Sequence, residues 1–173
     1  MRQHTFETVV VPHLDAAFNY ARWLTRNDAD AQDLVQDAAV RAFRFFGSLR
    51  NDNPRAWLLT IVRNAWYARV SRQTARPRVT EYEEMADARP DHHPDPEALL
   101  LQRQTVDRVR QAVEALPVDF REVIVLRELE GLSYKEIAEV AGIPIGTVMS
   151  RLARARDRLL GLLSPEPAAG GAQ

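Results

Sequence analysis

Four prolines, Pro77, Pro90, Pro94 and Pro96, are scattered among charged side chains between residues 77 and 96. Proline lacks an amide donor and collides with the preceding turn, so no continuous helix runs through such a stretch. It also carries few apolar groups with which to build a core, and it reads as a flexible linker. The chain must therefore fold on either side of it. Residues 1–75 are read as one domain, 76–97 as the linker, 98–163 as a second domain and 164–173 as a frayed tail. At 173 residues, two small domains fit the usual domain size.

Both flanks carry helical periodicity and no strand run, so the fold class expected is all-α, two small helical domains. Residues 11–26 suggest a first long helix, preceded by a short turn at Pro12. A second helix starts with Asp28 or Asp30 as its cap. Its apolar stripe is Ala31, Leu34, Val35, Ala38, Ala39, Ala42, Phe43 and Phe46, and Gly47 ends it. Pro54 opens a third helix carrying Trp57, Leu58, Ile61, Val62, Ala65 and Trp66. Past the linker, residues 99–116 form a helix stopped by Pro117. Asp119 caps the next, which runs to Glu130 and ends at Gly131. Ser133-Tyr-Lys-Glu136 is a capping box for a short helix. After a turn at Gly142-Ile-Pro144, residues 145–163 form the last one.

The formal net charge of −1 excludes a uniformly basic nucleic-acid coat, but it conceals a segregated pattern. Between Asn53 and Thr80 stand six arginines and no acid; from Glu81 to Glu97 stand seven acids against Arg89 alone. Near the end, Arg151, Arg154, Arg156 and Arg158 face only Asp157. Two basic helices joined by an acidic tether is the arrangement implied. The chain has no cysteine, which excludes disulfides, a thiolate zinc site and a cysteine nucleophile. No apolar run approaches the roughly 20 residues of a membrane span, and no signal-peptide core follows Met1. A soluble protein of the cytoplasm, without membrane insertion, is the expectation.

The most specific local pattern lies at the end. A capped short helix, a tight turn with Gly142 and a longer basic helix describe a helix-turn-helix. Val148, Leu152, Ala155 and Leu159 make one face of the last helix, leaving Thr147, Ser150, Arg151, Arg154 and Arg158 beside it. A helix that enters the major groove needs one anchored face and another offering donors to bases and phosphates. The same spacing also suits a helix whose arginines merely meet solvent.

Two other faces are weaker signals. In the third helix, Trp57, Trp66 and Tyr67 interleave with Arg55, Arg63, Asn64 and Arg69. Aromatic rings stack on unpaired bases while Arg neutralises phosphate, although large aromatics at helical spacing are more often core, as expected for Trp57. Trp66 and Tyr67 are adjacent and cannot both point inward, so one should lie near the surface. In the second helix, Gln32, Asp33, Gln36, Asp37, Arg41 and Arg44 form a polar face. Asp33 and Asp37 lack a third ligand for metal work, and a surface for a partner helix is the sharper reading. His92 and His93 sit in the linker without a scaffold. No catalytic motif, metal site or cofactor site is evident.

Taken in order, these segments resemble the extracytoplasmic-function group of bacterial sigma factors. Asp28-Ala-Asp-Ala-Gln-Asp-Leu-Val-Gln-Asp37 with Arg41-Ala-Phe-Arg44 looks like the core-binding helix of region 2. Asn53-Pro-Arg-Ala-Trp-Leu-Leu-Thr-Ile-Val-Arg-Asn64 is similar to the start of the promoter-opening helix. Ala115-Leu-Pro, Phe120-Arg-Glu, Val125-Leu-Arg127, Gly131-Leu-Ser-Tyr-Lys-Glu-Ile-Ala138 and Gly146-Thr-Val-Met-Ser-Arg-Leu-Ala-Arg-Ala-Arg156 look like region 4.

The resemblance implies a non-enzymatic subunit that directs core RNA polymerase to promoters. Asp33, Gln36, Asp37 and Arg41 would dock on the β′ clamp helices, with the β flap as a second polymerase contact. Arg50, Asn53, Arg63, Asn64, Trp66 and Tyr67 would capture the opened −10 element. Lys135, Thr147, Ser150, Arg151, Arg154 and Arg158 would read the −35 duplex. An anti-sigma factor, in some cases holding the protein at a membrane, and a role in stress or envelope response come with the family. A sigma-like decoy that captures an anti-sigma factor without touching DNA is the alternative. Ala68 stands where members often carry Asp, and Ile145 and Met149 occupy positions that are frequently polar or basic.

Overall fold

A computed structural model describes residues 4–50, 52–74 and 96–165 of the chain. The acidic linker with His92 and His93, and most of the tail, lie outside these residues. Every regular element among those described is helical.

The first domain begins with a single turn, α1 (Phe6–Val9), closed by a capping box in which Thr5 and Thr8 satisfy each other's backbone amides. Val11–His13 is a 3-10 turn containing Pro12, so the long helix α2 starts later than its periodicity suggested, at Leu14, and runs to Thr25. Proline lacks the amide that a helix interior would use, and a 3-10 turn accommodates it. Arg26, at φ 57°, closes α2 in the left-handed conformation, an uncommon one for a residue with a Cβ. The cap of α3 (Asp28–Phe45) is Asn27, neither Asp28 nor Asp30: its side chain accepts from the Asp30 amide at 3.0 Å. The two aspartates lie instead in the first turn, where the helix dipole favours negative charge.

Helices α2, α3 and α4 (Pro54–Thr74) pack together around Tyr20, Leu24, Leu34, Leu58, Leu59 and Val62. Of the stripe expected on α3, Ala31, Leu34, Ala38 and Ala42 are buried, and Val35 and Phe46 pack against the core. Phe43 departs from it: it is 65% exposed and meets Phe6 edge to face, with centroids 5.3 Å apart. Alanine at positions 31, 38 and 42 leaves the helices close together, and the larger ring at 43 falls outside the contact.

In the second domain, α5 (Pro96–Glu114) is followed by α6 (Val118–Ile124). Proline at 96 opens α5 earlier than the periodicity indicated, consistent with its tolerance in a first turn. Pro117 precedes α6, and Asp119 sits in its first turn without acting as the cap. The run expected to continue as helix to Glu130 widens at Val125–Leu129 into a π turn, in which the Glu130 amide donates to the Val125 carbonyl at 3.0 Å. Gly131, at φ 66°, then lets the Leu132 amide reach back to the Leu126 carbonyl. The Ser133–Glu136 capping box opens α7 (Tyr134–Ala141), and Gly142, also at φ 66°, ends it. Pro144 leads into α8 (Ile145–Leu163).

The two domains pack against each other, chiefly α4 against α7 and α2 against α6. No helix among the described residues is long and apolar enough to cross a membrane.

Candidate nucleic-acid interface

Helix α8 is anchored by Val148, Leu152 and Ala155, all buried, with Leu159 half-buried against the same core. A Leu fully removed from water contributes about 1.5–3 kcal/mol, so this face fixes the helix firmly on α6 and α7. The adjoining face is open. Ser150, Arg154 and Arg158 are exposed, and Thr147 is half-buried. The Ser150 hydroxyl donates to the Thr147 carbonyl at 3.1 Å, keeping an acceptor free for a ligand. Arg151 lies 3.9 Å from the Asp119 carboxylate, and Arg158 stands over the Phe120 ring at 5.6 Å. Lys135 is exposed on the first turn of α7. Ile145 and Met149 are exposed on α8 and put apolar surface beside these donors.

Helix α4 is arranged differently. Asn64 and Arg50 are exposed, but the other candidates are engaged. The Asn53 carbonyl oxygen accepts from the Ala56 amide at 3.1 Å, starting α4, while its amide group donates to Glu136 of α7 at 3.0 Å. Arg63 forms an ion pair with Glu122 of α6, its Nη2 donating at 3.3 Å to the second carboxylate oxygen. Its guanidinium also covers the Tyr67 ring at 4.3 Å, and Tyr67 meets Trp66 edge to face at 4.7 Å. Trp66 and Tyr67 are both half-buried, the two rings sharing the boundary between core and surface. Trp57 packs on the core, as its spacing suggested.

The centre of this arrangement is Glu122, whose side chain is 0% exposed. Tyr20, itself fully buried, donates its hydroxyl to the same carboxylate at 2.5 Å. Burial, reinforced by the neighbouring negative charge, pushes the Tyr20 phenol well above its ordinary pKa. Burial alone would lower Arg63, yet the hydrogen bond and charge of Glu122 outweigh it and the guanidinium is held more firmly protonated. Tyr67 is raised by burial first and by Glu122 second. Tyr20 was not among the residues singled out from sequence, and Glu122 stood there only as the last residue of Phe120-Arg-Glu, with no role given to it. The available signal was a charged pair, Arg121-Glu122, running directly into the apolar stretch Val123 to Leu126.

On α3, Asp33, Gln36 and Asp37 are exposed and Arg41 is half-buried, so one polar surface holds all four. Asp37 accepts from Arg69 of α4 at 2.6 Å, joining this face to the basic helix. Among the described residues, no group of three or more His, Cys, Asp or Glu side chains is disposed to hold a metal ion.

Comparison with known proteins shows the same division. The family model for sigma-70 region 2 matches residues 9–76, and that for sigma-70 region 4 matches residues 107–159. The RNA polymerase sigma-H factor of Pseudomonas aeruginosa is 35% identical over 143 residues, 79% of this chain and 74% of that protein. The ECF RNA polymerase sigma-E factor of Escherichia coli is 34% identical over the same length, covering 75% of its own sequence. The ECF sigma factor SigE of Mycolicibacterium smegmatis is 33% identical over 155 residues, 90% of this chain but 60% of that longer protein. The sigma factor RpoE of Bartonella quintana, solved in complex with the anti-sigma factor NepR, superposes with a TM-score of 0.73 at 28% identity, over 94% of this chain and 98% of that one. CnrH in complex with the cytosolic domain of CnrY gives 0.65 at 28% identity, over 96% and 92%. The chain belongs to the ECF (extracytoplasmic-function) group of RNA polymerase sigma factors.

Proposed function

We propose that this chain is the promoter-specificity subunit that brings core RNA polymerase to its start sites and has no catalytic activity of its own. The observation that carries the reading is the two-faced α8, buried through Val148, Leu152 and Ala155 and open through Ser150, Arg154 and Arg158. Residues 98–163 serve as the duplex-reading domain. Within them Lys135, Thr147, Ser150, Arg151, Arg154 and Arg158 contact the −35 element, with arginine forks suited to guanine edges and phosphates. Residues 1–75 hold the opened −10 strand through Arg50, Asn53, Arg63, Asn64, Trp66 and Tyr67. Strand opening costs a few kcal/mol per extruded base, which ring stacking and basic surroundings offset. Asp33, Gln36, Asp37 and Arg41 dock on the polymerase β′ clamp, with the β flap as the second contact.

Residues 76–97 join the two and carry seven acids. Control by an anti-sigma factor in the cytoplasm or at a membrane surface is inferred from RpoE of Bartonella quintana, solved in complex with the anti-sigma factor NepR, and a stress or envelope role is inferred from family membership. The direct test mixes purified protein with core polymerase on DNA from upstream of its own gene. Transcripts with a defined start, dependent on the chain, are expected. Titration of an anti-sigma factor without initiation would instead identify a decoy.

A further inference from the structure

Among the described residues, the hydrogen bonds between the domains have one polarity. Asn19 donates to the Glu130 carboxylate at 2.6 Å, Tyr20 and Arg63 to Glu122, and Asn53 to Glu136 at 3.0 Å. Arg55 donates to the Glu130 carbonyl, and Arg26 to the Glu114 carbonyl at 3.3 Å. The first domain gives every one of these bonds and the second accepts every one. Three of the acceptors are glutamate carboxylates, brought to one side of the second domain by α6, the π turn and α7. Glu122 and Tyr20 are buried where these surfaces meet.

From this geometry we infer that the second domain's Glu122, Glu130 and Glu136 form an internal substitute for nucleic acid, closing over the first domain's strand-binding donors until DNA displaces them. The inference rests on the proposed role of α4 in holding the −10 strand. Asn53 and Arg63 are assigned to that strand, and each is engaged by a glutamate; a carboxylate oxygen occupies a donor as a phosphate or base acceptor does. The chemistry also suits a reversible contact. Glu, Arg and Tyr side chains regain water when the domains part, whereas a seam closed only by apolar groups would expose them at full cost. Competition of this kind is reciprocal: closure weakens strand binding by the factor by which strand binding weakens closure.

The full-length chain offers a direct test, because it has no cysteine and two introduced ones are unique labelling sites. Gln32→Cys on α3 and Glu139→Cys on α7 are both exposed positions, in different domains. With spin labels there, the otherwise wild-type protein should give one narrow distance. Glu122→Gln should broaden and lengthen it, and should raise affinity for a fluorescent single strand of −10 sequence about tenfold. Asn19→Asp provides a second variant that removes no buried apolar group, setting a carboxylate against Glu130; it should act in the same direction. Adding the single strand to the wild-type labels should also lengthen the distance. A distance unmoved by both folded variants and by the strand overturns the inference, since the two domains would then be one rigid body. A longer distance with unchanged strand affinity overturns it equally, because the seam would hide nothing. The distances need no promoter, and wild-type transcription with core polymerase decides the functional reading separately.

Discussion

Helices α8 and α4 carry comparable equipment, arginines beside polar and apolar groups, and the fold leaves them in opposite states. On α8 the donors face outward, with Arg154 and Arg158 exposed and the helix held from behind by its own domain. On α4 the central arginine is neutralised by a glutamate of the other domain, and Asn53 is shared between capping its own helix and bonding to α7. The difference suits the two ligands. Duplex DNA presents its groove without prior deformation, so a reader can stand ready. An opened strand exists only after base pairs are broken, and a surface that binds it has reason to be covered beforehand.

The largest effect that would probe this contrast comes from the core under α8. Leu152 is 1% exposed, and Leu152→Ala should cost about 2–5 kcal/mol. All three tryptophans, Trp23, Trp57 and Trp66, lie in the first domain. Urea unfolding followed by tryptophan fluorescence therefore reports that domain, while circular dichroism reports both. For the variant, the dichroism transition should begin at lower urea than the fluorescence transition. Coincident curves would mean that the seam fuses the domains into one cooperative unit.

Arg154→Ala should weaken −35 duplex binding by about 1–3 kcal/mol, measured by fluorescence anisotropy. Binding of a −10 single strand should not change. Loss of both would show that the two faces are not independent.

Tyr20→Phe sharpens the comparison at the seam. The phenol's folded-state pKa lies above its ordinary value near 10, so the folded protein keeps this proton after the unfolded chain has released it. Stability from this group is therefore complete below pH 10 and falls as pH rises toward the folded-state value. Wild-type protein should lose stability across that alkaline window, and Tyr20→Phe should flatten this part of the profile. At neutral pH the variant should cost about 1.5–3 kcal/mol, the worth of a hydrogen bond to a charged group.

Asp37→Ala should move stability least, by less than about 1 kcal/mol, because its bond to Arg69 is an exposed pair. It should nevertheless reduce association with core polymerase in a pull-down while leaving isolated DNA binding intact. Equal loss of both would place the strand-binding and polymerase-binding surfaces on one shared network through Arg69.

Local chemistry explains which of these features were legible in the sequence. The Ser133–Glu136 box and Gly142 act within a few residues of themselves, and α7 and α8 begin and end where those signals place them. Asn27 caps α3 in place of the expected Asp28 or Asp30; it is as good a cap residue as either, and it directly follows the left-handed Arg26. Periodicity identified the inward face of α8 but not the meaning of an acid on α6. Glu122 finds Tyr20 across 102 positions and Arg63 across 59, and no pattern within one helix encodes such a pairing. The opposite destinies of the arginines on α4 and α8 were invisible for the same reason.

The π turn at Val125–Leu129 continues α6 and sets the rotational phase between Glu122 before it and Glu130 directly after it. One residue more or less turns a helix by about 100°. Removing a single residue there would swing Glu130 out of line with Glu122, even with α6 itself unchanged. The widened turn is thus a timing element, aligning the side chains before and after it by the length of chain it takes up.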